Sequence, residues 1–357
     1  MRRDLRHVLL GAALTALAIA CTLGPILVSP WLTRLSGLDP ATGRVAVTVL
    51  ATLGTLATFA ASVAVGYREQ RRHDVCRAYR EFATELGAGG ATVVVAAAIL
   101  TVGPAASRGA ISPLLLVLVL LSVLVSVPLV VVAAALAGVT VARLPTAWQR
   151  SDAPFASPLA VPVGAAVVAG GSVVVESATA VLRSLSRGFG VPDRFSQFGG
   201  AAVETLSIYS SADSLASGLL LVGGGLALGV FAVRRYDFEA SVRRFVVLVA
   251  VGSLVGTTVA PPILSTVTGT TLAGSFGAGS RWLVALVASL TSAYVETALV
   301  ATLAAVAGLG IGVFEGERGR GDTTATVTNG EPTTKGTAVT PDTEEHSELS
   351  STDETAR

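Results

Sequence analysis

"PLLLVLVLLSVLVSVPLVVVAAALAGVTVA", residues Pro113–Ala142, contains no charged side chain. An apolar run of about 18 residues or more is long enough to cross a bilayer as a helix, since a rise of roughly 1.5 Å per residue then spans the hydrocarbon core. The same pattern recurs along the chain. Hydrophobic residues make up 52% of the 357, charged residues 14%, and the mean hydropathy is +0.69. A set of soluble domains of this length would mix charge through its surface. Here the charges are confined to the connections, and the chain reads as all-α and polytopic.

Apolar runs separated by charged interruptions predict eight spans, at 8–32, 45–67, 89–106, 111–142, 159–182, 215–233, 245–264 and 282–312. Arginine placement sets their direction. With the N-terminus inside, sixteen of the arginines up to Arg320 fall in cytoplasmic segments and seven in outer ones, which puts both termini in the cytoplasm and the protein in the plasma membrane. Trp31, Trp148 and Trp282 stand at predicted span ends, where an indole ring prefers the headgroup layer. The N-terminal "MRRDLRHVLLGAALTALAIAC" also resembles an exported lipoprotein signal ending at Cys21. The run continues apolar as "TLGPILVSPWL", however, and Ala18 rather than leucine stands three residues before Cys21. A first span is the better reading.

The connection "RRHDVCRAYREF", Arg71–Phe82, returns as "RRYDFEASVRRF", Arg234–Phe245, 163 positions later. "AALAG" at Ala134–Gly138 returns as "AAVAG" at Ala304–Gly308, 170 positions later. The seven extra residues belong in the long outer loop before the eighth span. Spans three and seven are both short and both close on proline, at Pro104 and at Pro261–Pro262. These echoes predict a four-plus-four tandem repeat, with a first membrane repeat at 1–142, a linker at 143–158, a second repeat at 159–314 and an acidic, threonine-rich tail at 315–357. The tail has too little apolar surface to fold alone. An even number of spans per half makes the repeats parallel, an arrangement common in transporters.

Only two acidic residues lie inside the predicted spans, Glu176 and Glu296. Each costs about 2.5–3.5 kcal/mol at a span centre, so such groups face a bundle interior or a wet cavity. Their surroundings match as Ser-x-x-Val-Glu-[Ser/Thr]-Ala, in "SVVVESA" and "SAYVETA". Ser172 and Ser292 stand one helical turn before the glutamates and could solvate them; Tyr294 lies beside Glu296. From the span ends, Glu176 is roughly 9 Å deep and Glu296 about 20 Å. Ser126 holds the place of Glu296 in the first half. A third "VET" at Glu204 sits in the outer segment 183–214, read here as an amphipathic surface helix.

Enzyme classes lack their parts. No histidine lies in any span, which leaves neither a zinc motif nor a base for a serine nucleophile, and no span holds paired aspartates. Two cysteines make no metal cage, and no cofactor is expected. "GGGLALG" (Gly223–Gly229) and Gly252-x-x-x-Gly256 read as close helix packing rather than phosphate loops. The resulting expectation is a transporter or permease-like protein for a small solute or ion. Its site would be Glu296, Glu176, Ser292, Ser172 and Tyr294. The alternative is a non-transporting subunit or scaffold docking a cytoplasmic protein through Arg71, Arg72, Arg234 and Arg235. The expected partners are the lipid bilayer, such a cytoplasmic protein and a second copy of the chain; nucleic acid is not among them.

Overall fold

With no water in hydrocarbon to satisfy a peptide group, a long apolar segment closes its own hydrogen bonds as a helix. A computed structural model of the chain follows that rule. It describes residues 2–36, 40–107, 113–144, 159–179, 181, 202–235, 242–268 and 294–315. These form helices α1 (Arg2–Ser36), α2 (Pro40–His73), α3 (Tyr79–Ser107), α4 (Pro113–Leu124), α5 (Val130–Arg143), α6 (Ala160–Glu176), α7 (Ala202–Arg235) and α8 (Val242–Thr268), with α9 at 294–315. No strand occurs among the described residues. Seven helical segments among them are long and apolar enough to cross a membrane, with α4 and α5 running together as one. The predicted fifth span is seen as α6, 17 residues before Ser177. By contacts, Met1–Gly316 form one unit and Glu317–Arg357 another, the latter outside the described residues. Trp148 and Trp282 also lie outside them.

Several boundaries move. Helix α3 begins at Tyr79 instead of residue 89 and runs on through Pro104; α8 begins at Val242 and continues through Pro261–Pro262. The prolines therefore sit inside helices rather than closing them, which nearby helices make tolerable in a membrane. Helix α7 starts at Ala202, so Glu204 and the Ser-rich stretch after it belong to a crossing helix. That corrects the surface-helix expectation for 202–214; the rest, 183–201, is outside the described residues. No proline interrupts Ala202–Arg235, and Ser214 and Ser217 line a cavity. Helix α1 passes Cys21 without a break.

"RRHDVCRAYREF" also changes character. Helix α2 continues to His73, Asp74 turns the chain with a left-handed φ of 49°, and a 3₁₀ turn at Val75–Ala78 leads into α3. Aspartate is one of the few non-glycine residues that tolerates that backbone. Val75, Cys76, Tyr79 and Phe82 are buried here, so the stretch is a core anchor as much as a charged connector. Tyr79 Oη donates to Glu315 Oε1 (2.9 Å) and Arg80 Nη2 to the same oxygen (2.8 Å), tying α3 to α9.

Small residues let the helices touch through their backbones. A Cβ on Gly66 would strike the Ala135 carbonyl oxygen, and one on Gly229 would strike that of Ala305. Gly138 abuts the Val63 carbonyl and Gly308 that of Leu226; Gly89 abuts Val8 and Gly252 abuts Pro162. Each pair of contacts falls at constant sequence offsets, 163 for α2/α7 and α3/α8, 170 for α5/α9 and 154 for α1/α6. The buried positions obey the same register: Tyr79, Phe82 and Leu86 on α3 answer to Val242, Phe245 and Val249 on α8. Helix α9 is the most enclosed crossing segment, with 72% of its apolar window buried against 17–33% for the others. Outward from this centre the helices present Leu53, Ile99, Val167, Val251 and Val255, an apolar exterior suited to lipid.

Candidate functional site

Where α4 meets α5, Pro128 has no N–H for the helical ladder and its ring crowds the turn before it. The helix widens to a π turn at Val125–Leu129, a distortion frequent at functional sites. Ser126 and Val127 of that turn open onto a cavity of about 450 Å³. Helices α1, α2, α6, α7 and α9 complete its wall. Its polar lining is Thr22, Thr55, Thr58, Ser122, Ser126, Ser214, Ser217 and Thr297, with the two carboxylates Glu176 and Glu296. Its apolar floor is Phe59, Val130, Leu221, Val222 and Val300, all part of one buried cluster between the halves. No lysine, arginine or histidine is among the described residues that line it.

The cavity thus brings together the two glutamates singled out from the sequence. Glu296 rises from the first turn of α9. Glu176 is the last residue of α6. Past it the helix loosens at Ser177, and the Thr179 N–H is taken up by Asp213 Oδ2 at 2.8 Å. A freed peptide group in a membrane needs such a partner. Asp213 is therefore a third acid beside the cavity, missed because the sixth span was begun at 215.

The remaining expected members fare differently. Ser172 does not solvate Glu176: its hydroxyl pairs with Ser217 Oγ at 2.8 Å, a buried bond from α6 to α7. The two side chains face each other across the helix contact, which outcompetes a reach along the helix. Ser292 is outside the described residues. Tyr294 opens α9 but does not line the cavity. The hydroxyls of α2 were legible in principle, because Thr48, Thr52, Thr55, Thr58 and Ser62 recur at helical spacing along an apolar run.

A second polar group occupies the Arg-rich end. Arg6 Nη2 donates to Glu69 Oε1 (2.6 Å), and His7 Nδ1 stands 2.7 Å from Glu85 Oε2. Glu69 is 2% exposed; its Oε2 has no hydrogen bond but lies 3.6 Å from His7 Nε2 and 3.8 Å from His73 Nε2. Glu69 and Glu85 thus add to the acids inside crossing helices, against the two expected. The helices run further toward this end than the apolar runs alone, because charged side chains there pair with one another. Arg71, Arg72, Arg234 and Arg235 are all exposed; Arg71 lies over the Tyr67 ring at 5.2 Å.

At the turn itself, Asp74 Oδ1 accepts from Cys76 Sγ (2.9 Å) and Gln70 Nε2 (3.0 Å), and Arg77 Nε lies 3.2 Å from Oδ2. These donors, Cys76 first, hold the Asp74 carboxyl below the usual aspartate range. A scan against family models and searches of curated proteins and of solved structures found no match to the chain.

Proposed function

We propose that this chain is a transporter or permease-like protein for a small solute or ion, built as a four-plus-four tandem repeat of eight spans. Its solute site is the cavity at the junction of the halves. The plasma membrane is its location, with both termini in the cytoplasm.

One observation carries the reading. Under the offsets of 154, 163 and 170, fourteen of the nineteen lining residues fall into seven matched pairs, among them Thr22/Glu176, Phe59/Val222 and Ser126/Glu296. A cavity lined by equivalent positions lies on the pseudo-axis relating the repeats, where transporters of repeated architecture place their substrate. The broken α6 and the π turn of α4–α5 both border it, and irregular backbone at membrane depth is tolerated where it lines a cavity. Glu296 and Glu176 are the groups proposed to couple solute to protons or cations; intramembrane acids default to such a role.

The test is flux in proteoliposomes carrying an internal pH-sensitive dye, challenged with Na⁺, K⁺ and a panel of small amines. Glu296→Gln is expected to abolish coupled flux and Glu176→Gln to reduce it, at wild-type yield and elution profile. Undiminished flux in the double variant would overturn the carboxylate role.

A further inference from the structure

Four of the eight hydroxyl side chains that line the cavity have already given away their hydrogens. Thr22 Oγ1 donates to the Ala18 carbonyl at 2.9 Å, Thr55 Oγ1 to Ala51 at 3.0 Å and Thr58 Oγ1 to Gly54 at 2.9 Å. Ser126 Oγ leans on the Val123 carbonyl at 3.4 Å. A hydroxyl has one hydrogen and two lone pairs, so each of these presents only acceptor capacity to the cavity. Ionised glutamates are acceptors alone as well. Two carboxylates and four spent hydroxyls therefore make a wall richer in hydrogen-bond acceptors than in donors.

Such a wall selects a ligand rich in N–H donors and positive charge. Charge-assisted bonds from an ammonium to carboxylates are the strong ones, whereas an anion would meet two carboxylates and no cationic side chain among the described lining residues. Size then separates organic from inorganic cations. Metal ions take tight oxygen cages at about 2.0–2.6 Å, whereas this cavity holds about 450 Å³, within the range for organic ligands. Among the described residues no three His, Cys, Asp or Glu side chains converge to hold a metal. Phe59, Leu221 and Val222 offer the floor that an alkyl chain would cover. A quaternary ammonium wants an aromatic cage, and Phe59 is the one aromatic residue in the described lining.

We infer that the cavity binds a protonated primary or secondary alkylamine, its ammonium toward Glu176 and Glu296 and its carbon chain on Phe59. This rests on reading the cavity as the solute site, and it names the solute class.

Thermal unfolding of the purified full chain in detergent tests it, with propylammonium, tetramethylammonium, sodium and propionate compared at equal ionic strength. Propylammonium is expected to raise the melting temperature saturably, and the other three to do so weakly or not at all. Glu296→Gln should weaken the apparent affinity about tenfold or more, as loss of a charge-assisted bond does. Thr58→Val removes an acceptor while keeping shape, and should weaken it less. Equal protection by sodium or tetramethylammonium, lost in Glu296→Gln, would overturn the amine class and leave the carboxylate site standing. Protection by propylammonium that survives both substitutions would overturn the assignment to this cavity. No protection by any cation, together with undiminished flux in the glutamine variants, would overturn the site reading itself.

Discussion

Under the proposed tandem repeat, residues 2–143 and 160–315 are two equivalent halves, and they place their polar groups at opposite ends. At the Arg-rich end the first half holds Arg6, His7, Glu69 and Glu85 in mutual contact. The matching positions of the second half are Ala160, Val161, Ala232 and Leu248. Around the cavity the order reverses: Thr22 and Ser126 in the first half answer to Glu176 and Glu296 in the second. Backbone contacts through glycine, and the buried Phe82 and Phe245, stay in register throughout. Packing positions have little freedom because a Cβ or a cavity is felt at once. Polar positions carry the differences, and each half specialises where the other is bland.

The harshest way to break the comparison is to block the shared contacts. Gly138→Leu and Gly308→Leu each drive a side chain into a backbone carbonyl, Val63 in one half and Leu226 in the other. Each should cost about 3 kcal/mol or more, seen as loss of monodisperse protein on gel filtration. Gly223→Ala, with nothing within 4 Å of the new methyl, should leave the profile intact. A folded Gly308→Leu beside a lost Gly138→Leu would show that the halves are not packed alike.

A milder break grafts one half's chemistry onto the other. His7→Val strips a partner from Glu85 and Glu69, whose side chains are 22% and 3% exposed. Losing a hydrogen bond to a charged group costs about 1.5–3 kcal/mol, measurable as a lower unfolding temperature in detergent. The combination His7→Val, Glu69→Ala and Glu85→Leu copies the second half and should recover most of that loss, because apolar packing replaces a buried pair at little net cost. No recovery would mean that the ionic cluster holds structure the second half secures elsewhere.

The smallest effect concerns Asp74. Its folded carboxyl lies below the usual value of 3.8, through hydrogen bonds from Cys76 and Gln70 and the nearby Arg77 charge. A depressed carboxyl adds stability that is fully present above that usual value and drains away as pH falls through the folded one. Asp74→Asn keeps the left-handed turn, since asparagine also tolerates it, and removes the charge. Wild type and variant should differ at neutral pH, and the difference should shrink on acidification below about pH 4. A constant difference across that range would assign Asp74 a purely conformational role.

What the sequence by itself determined follows from lipid chemistry acting on single segments. Uncharged runs such as Pro113–Ala142 have to be helices, and the echoes at offsets of 163 and 170 gave the register in which glycines later meet carbonyls. Glu176 and Glu296 stood out because a carboxyl in such a run is expensive. The tertiary structure alone decided how these segments face one another. It turned Ser172 toward Ser217, brought Asp213 to the broken end of α6, and buried Tyr79 and Phe82 from a stretch that reads as charge. It also gathered threonines from α1 and α2 around the glutamates of α6 and α9. The physical reason is that hydropathy reports a segment's preference for lipid over water, which is the same on every side of a helix. Which side meets a neighbour is settled by backbone approach and hydrogen-bond partners supplied from elsewhere in the chain.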